Sequence, residues 1–159
     1  MTSREQPWTD DGPAAGRVVL LTRNPISEAA AAILAAIGRP AVVVEQDAEG
    51  LGLTAVDALA LAPGDAVVLC DHDAPDAPAV LRRALASPAS YVAMMASRQR
   101  SEGLVQQLEE EGVAGLAKLH VPAGLNTGGK SPGEIALSVV AEIVAESHGR
   151  SGGPMRKLS

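Results

Sequence analysis

Arg17-Val18-Val19-Leu20-Leu21-Thr22-Arg23-Asn24-Pro25-Ile26-Ser27 is the stretch that decides the fold. A short β-branched apolar run gives way to Asn24-Pro25, where Asn can cap a helix and Pro can occupy its first turn. The expected order is strand, tight turn, then a helix from Pro25 to about Ile37 that stops at Gly38. Ala41 to Val44 reads as a second buried strand ending on Glu45, which completes one βαβ unit.

The alternation continues outward from that unit. Thr54 to Ala62 holds a short helix or strand, and Pro63-Gly64-Asp65 turns into the apolar strand Ala66 to Cys70. Ala77 to Ala86 is helical in pattern, Tyr91 to Ala96 is the next strand, and Arg98 to Glu111 is a polar-faced helix stopped by Gly112. Lys118 to Val121 predicts one more short strand, followed by a Gly-rich loop from Pro122 to Lys130. Ser131-Pro132 with Glu134 has the spacing of a capping box and opens a last helix to about Ser147. Strands alternating with helices in this way predict an α/β chain: a three-layer, Rossmann-like fold with a mostly parallel sheet and helices on both faces. Residues 1–16 and 149–159 are rich in Gly, Pro, Ser and charge without a period, so they read as flexible tails around one domain over 17–148. Trp8 in the first tail is either docked on the surface or disordered.

Composition agrees with one such domain. A chain of 159 residues buries roughly 70 % of its unfolded surface and needs no metal or disulfide staple. Cys70 is the single cysteine, which excludes an internal disulfide framework and a structural zinc site built on cysteines; a reducing, cytoplasmic compartment is expected. Trp8 and Tyr91 are the only aromatic residues, so the core must be packed from Ala, Val, Leu and Ile. A net charge of −6 argues against a nucleic-acid partner, which needs a clustered basic face. No uninterrupted apolar run of about 18 residues and no basic-then-apolar leader is present, so neither a membrane span nor secretion is expected.

In a dinucleotide-binding βαβ unit the first turn carries three glycines, which let the backbone approach a pyrophosphate at the helix N-terminus. Here Thr22 to Ser27 contains none. Thr22, Asn24 and Ser27 remain able to donate hydrogen bonds to an anion, with Arg23 to neutralise it; helix capping is the simpler account. Glu45, about 20 residues on, stands where an acidic side chain would accept from a ribose diol, and is equally a solvated strand end.

From Asp71 onward the chain resembles the Rossmann-like domain of the XdhC/CoxI family, accessory factors of xanthine dehydrogenase and carbon monoxide dehydrogenase. The stretches that carry the resemblance are Asp71-His72-Asp73 followed by the Ala79 to Ala86 helix, Tyr91-Val92-Ala93-Met94-Met95-Ala96-Ser97-Arg98, His120-Val121-Pro122-Ala123-Gly124-Leu125-Asn126-Thr127-Gly128, and Ser131-Pro132-Gly133-Glu134-Ile135-Ala136-Leu137-Ser138 with Ala141-Glu142-Ile143. The likeness reaches back more weakly to Arg17. Three departures stand out: the glycine-poor turn Thr22 to Ser27, Ala96 where the family has Gly, and Asn126-Thr127 within a Gly-rich run. Family members generally carry a further domain ahead of this one, where this sequence has a short tail, so a separate XdhC-type chain is an expected partner.

Ligands of open parallel sheets bind beyond the carboxyl ends of the strands. The loops expected there are Thr22 to Ser27, Glu45 to Asp47, Cys70 to Asp73, Ala96 to Arg100 and Ala123 to Lys130. Candidate ligand-binding residues are therefore Thr22, Asn24, Ser27, Glu45, Cys70, His72, Ser97, Arg98, Gly124, Asn126, Gly128 and Lys130. Ser97, Arg98 and Arg100 suit a phosphate; Arg98 and Arg100 are also compatible with a solvated first helical turn. His72 is expected to hydrogen-bond, since no second His or Cys lies at ligand spacing, and no metal site is expected. Cys70 reads as a small buried hydrophobe or as a thiol that meets a bound molybdenum centre. Gly124, Gly128 and Gly129 allow positive φ or close approach to a ligand, or simply close a turn. Glu134 reads as a cap and Glu142 as a solvated or paired helix face.

The resemblance implies an accessory protein, without turnover of its own, that binds molybdenum cofactor or helps deliver it to the apoenzyme of a molybdenum hydroxylase. A second reading is a nucleotide-binding domain taking NAD, against which the missing glycines and the lack of a proton-transfer pair count. The third is a ligand-free domain acting through a protein interface, for instance as a homodimer.

Overall fold

The computed structural model describes residues 16–45 and 52–157; Trp8, most of the N-terminal tail and the 46–51 segment with Asp47 lie outside them. Among the described residues five strands, β1 (Val18–Leu21), β2 (Ala41–Val44), β3 (Ala66–Leu69), β4 (Tyr91–Met94) and β5 (Leu119–His120), alternate with five α-helices. The helices are α1 (Pro25–Ala36), α2 (Gly52–Ala58), α3 (Ala77–Ala86), α4 (Arg98–Glu110) and α5 (Pro132–Ser147). The strands form one sheet in the order β2-β1-β3-β4-β5, and every pairing is parallel.

Of the two alternatives for Thr54 to Ala62 the chain takes the helix, which runs earlier, over Gly52–Ala58. The strand expected over Lys118–Val121 shrinks to two residues, because Leu116–Lys118 first winds into a tight helical turn.

Both faces of the sheet are covered, as in a doubly wound parallel sheet. Val18, Leu20, Val68 and Ala93 point into the layer made by α1 and α5, where Ala30, Leu34, Val139 and Ile143 meet them. Val19, Leu21, Val67, Leu69 and Val92 point the other way, into α2, α3 and α4 through Val56, Leu81, Leu85 and Leu108. Alternation of side chains along a strand produces this split. Without Phe, the aliphatic core interlocks by small residues: the Ala-rich α1 lies directly against α5.

The amino edge of the sheet is closed by a polar cluster. Asp65, 3 % exposed, accepts from the Arg17 N–H at 2.9 Å, the Arg17 guanidinium at 2.8 Å and the Ala62 N–H at 2.9 Å. Burial alone would push this carboxyl up; the bonds from Arg17 and Ala62 outweigh it and hold the carboxyl below its ordinary value. Arg39, 5 % exposed, donates to the carbonyls of Gly16 and Gly64 at 3.1 and 3.0 Å. Residues preceding β1, β2 and β3 are thereby tied into one knot. A Cβ on Gly16 would stand 2.4 Å from Asp65 Oδ1, so that position requires glycine.

Candidate functional site

In this order the strands are added first to one side of β1 and then to the other, and this switch between β1 and β3 opens a crevice at their carboxyl ends. The β1–α1 turn on one side of it is closed upon itself. Asn24 Oδ1 accepts from the N–H groups of Ile26 and Ser27, both at 2.9 Å, and the Glu28 N–H goes to the Asn24 carbonyl. Pro25 has no N–H to offer. The Ser27 hydroxyl, fully buried, accepts from the Asn24 N–H and donates to the Thr22 carbonyl, each at 2.8 Å. Asn24 Nδ2 spans the crevice to the Cys70 carbonyl at 3.1 Å, and Thr22 Oγ1 reaches the Val44 carbonyl at 3.4 Å. The first turn of α1 therefore has all its N–H donors engaged by the protein itself. Glu45 faces solvent and pairs with Arg23 Nε at 2.6 Å.

Cys70 points away from the edge, into the layer under α1 and α5. Burial, assisted by the Asp71 charge, pushes its thiol up to about 12, so it is a neutral packed side chain and not a thiolate.

The β3–α3 and β4–α4 loops meet at His72, whose Nδ1 lies 3.0 Å from the Met95 carbonyl while Nε2 sits 3.4 Å from Asp73. Helix α4 opens beside them. Ser97 caps it by accepting from the Arg100 N–H at 3.1 Å, and no acidic residue falls in its first turn, whereas α1 has Glu28 and α5 has Glu134 there. The N–H groups of Arg98 and Gln99 and the Arg98 guanidinium have no acceptor among the described residues. Arg100 pairs with exposed Asp73 at 3.1 Å. Between α3 and α4 lies a cleft of about 260 Å³ that includes His72 and Arg100.

The β5–α5 loop divides. Its first part leaves the edge and packs along α5: the Gly124 N–H donates to Glu142 at 3.2 Å and the Leu125 N–H to the Ser138 carbonyl at 3.2 Å. Gly124 has φ of 101°, and a Cβ there would stand 2.5 Å from Ser138 Oγ, so approach to α5 already explains the glycine. Asn126, Gly128 and Lys130 are exposed, and Lys130, immediately ahead of the Ser131 cap, has no partner among the described residues.

A second polar cluster escaped sequence reasoning. Glu142 accepts from the Tyr91 hydroxyl at 2.6 Å as well as from Gly124. Tyr91 stacks on His120 with ring centroids 4.4 Å apart, and His120 Nδ1 lies 3.5 Å from Glu142. Burial and then Glu142 push the Tyr91 hydroxyl far above its ordinary value, so it stays a donor. The one hint in the sequence is the presence of polar rings within two otherwise apolar segments. Among the described residues no group of three His, Cys, Asp or Glu side chains could hold a metal ion, and no helix is long and apolar enough to cross a membrane.

Comparison with known proteins assigns this geometry. The family model of the XdhC Rossmann domain matches residues 18–143. Uncharacterized protein YqeB of Escherichia coli is 38% identical over 114 residues, which are 70% of this chain and 20% of that protein. A crystal structure described as a xanthine dehydrogenase from Bacillus halodurans superposes with a TM-score of 0.72 at 18% identity, over 86% of this chain and 44% of the other. The chain thus spans about a fifth of the one relative and less than half of the other, and at 18% identity the second likeness is one of fold. With the five-stranded parallel sheet and the 126 matched positions from Val18 to Ile143 in agreement, the chain belongs to the XdhC family through its Rossmann domain.

Proposed function

We propose that this domain is an accessory to a molybdenum hydroxylase of the xanthine or carbon monoxide dehydrogenase type, and that it binds molybdenum cofactor through the phosphate of the pterin. The observation that carries the reading is the contrast between two helix ends on one edge. The α1 N-terminus, where a dinucleotide's pyrophosphate would rest, is sealed by Asn24. Among the described residues nothing accepts from the Arg98 and Gln99 N–H groups at the α4 N-terminus, which carries Arg98 and Arg100 in its first turn. Backbone donors, a favourable helix dipole and guanidinium groups together make an anion site.

Fit to the cofactor is partial and instructive. A phosphate suits Ser97, Arg98 and Arg100, and Lys130 adds exposed charge. Metal ligation by Cys70 does not suit a thiol that is buried and protonated. The chain's own work is then to hold the phosphate, leaving the metal end to a partner, either the apoenzyme or a separate chain of the same family. The cofactor supplies the redox chemistry once installed in the enzyme.

The test is an anaerobic thermal-shift titration with molybdenum cofactor, NAD and NADP. A ligand at about 100 times its dissociation constant adds about 2.7 kcal/mol, a rise of several degrees. Stabilisation by molybdenum cofactor, lost in Arg98→Ala, is expected. Stabilisation by NAD alone would overturn the proposal.

A further inference from the structure

The cleft between α3 and α4 is not required by phosphate binding at the α4 N-terminus. Its apolar lining is Ala77, Pro78 and the nearly buried Leu81 from α3, Leu104 from α4, and Met94 at the end of β4. Its polar groups are Arg82 from α3, Arg100 and Gln107 from α4, and His72. Arg100, Leu104 and Gln107 recur at the spacing that puts them on one helix face. Among the described residues no acidic side chain is part of the cleft lining itself, although the protein carries a net charge of −6. Both arginines are held at its rim by carboxylates: Arg82 by Glu111 at 2.8 Å and Arg100 by Asp73 at 3.1 Å. The exposed Arg100–Asp73 contact is worth about 0–1 kcal/mol, so an incoming anion can take that guanidinium over, whereas Arg82 is fixed by both Glu111 oxygens and the Pro78 carbonyl.

We infer that this cleft is a ring-binding slot, which takes a flat heteroaromatic system bearing an anionic substituent and places that substituent toward Arg100. Leu104 gives the ring its main apolar contact, over a floor formed by the nearly buried Leu81 and Met94, and a thioether beside an aromatic ring is itself a favourable contact. The Gln107 amide and the His72 imidazole supply donors and acceptors for heteroatoms at the ring edge. Arg82, fixed by Glu111 and the Pro78 carbonyl, offers its guanidinium plane to the ring. The volume of about 260 Å³ falls just under the ~300–1,000 Å³ usual for drug-sized ligands, which suits one mono- or bicyclic ring. Placing the ring here beside a phosphate at the α4 N-terminus rests on the proposed function above.

Equilibrium binding by calorimetry separates the two claims, with inorganic phosphate, guanosine monophosphate and a pterin carboxylate as probes. The wild-type protein, Leu104→Trp to fill the slot, Gln107→Ala on its exposed rim, and Arg98→Ala are compared, each checked for a native melting transition. The slot predicts that both ring-bearing probes bind roughly tenfold or more tightly than phosphate. Leu104→Trp and Gln107→Ala should remove that advantage while leaving phosphate affinity unchanged. Should Leu104→Trp fail to fold, Gln107→Ala alone decides. Preference for the pterin or for the nucleotide identifies the source of the ring. Phosphate binding lost in Arg98→Ala, with no gain from a ring, overturns the slot and leaves the phosphate site standing. Ring binding that needs Gln107 but not Arg98 upholds the slot and overturns the phosphate site. No binding of any probe overturns both.

Discussion

The two ends of the sheet are built on opposite principles. At the amino edge, charged groups are buried and every one is answered: Asp65 takes three donors, and Arg39 finds two carbonyls. At the carboxyl edge the cations stand in solvent, and Arg98 and Lys130 have no partner among the described residues. A buried charge is tolerated only when paired, so the amino edge serves stability; an exposed and unanswered cation contributes little to stability and is available to an anion. Substitutions at the two ends should therefore separate melting temperature from ligand affinity.

The largest effect is expected at the amino edge. Asp65→Ala strands the Arg17 and Ala62 N–H groups and leaves the Arg17 guanidinium only the Leu59 and Ala60 carbonyls, and should cost about 3–5 kcal/mol, a fall in Tm on the order of ten degrees. Because the folded carboxyl is held below its ordinary 3.8, its stabilisation is fully present above that value and is lost as pH falls through the lowered one. Urea titrations from pH 6 down to about pH 2 should show that decline in the wild type and a flatter one in Asp65→Asn. An undiminished acid decline in Asp65→Asn would break the comparison.

Next comes Glu142→Ala, which leaves the buried Tyr91 hydroxyl and the Gly124 N–H without an acceptor; a loss of about 2–3 kcal/mol should appear in denaturant unfolding. Asn24→Ala removes the α1 cap, with an expected cost of about 1 kcal/mol. Since that helix end is sealed by the protein, calorimetry should find anion affinity unaltered by the cap's loss as long as the fold holds. The smallest change in stability, within about 0.5 kcal/mol, belongs to Arg98→Ala, yet its anion affinity should fall roughly tenfold, as expected for losing a charge-assisted bond. Equal losses of stability and affinity at Arg98 would erase the distinction between the edges.

The fold was legible because its signals are local. The apolar runs Val18–Leu21, Ala41–Val44 and Ala66–Leu69, and the caps Asn24, Ser97 and Ser131, each announce an element within a few residues. Family membership was legible from the motifs after Asp71, which the matched range from Val18 to Ile143 includes. The candidate site was legible only as a set of loops. Nothing local told that Ser27 would be buried, that Cys70 would face the α1–α5 layer, or that Gly124 would lie against Ser138. Asp65 meets Arg17 across 48 positions and Tyr91 meets Glu142 across 51, and only the assembled topology brings such groups together. Arg82 and Gln107 were missed for the same reason: a cleft between two helices has no signature in either one.

The Arg17–Asp65–Arg39 knot has a consequence beyond its free energy. Strands β1 and β3 are VVLL and AVVL, buried throughout, and apolar on both faces they offer no polar–apolar alternation to distinguish one alignment from the next. A slip of β1 past β3 would bury nearly the same hydrocarbon. It would also carry the Arg17 N–H away from Asp65, and with it the single arrangement in which Val18 stands opposite Ala66. In a sheet whose interior is almost uniform, the alignment of the strands is written in the few charged residues that precede them.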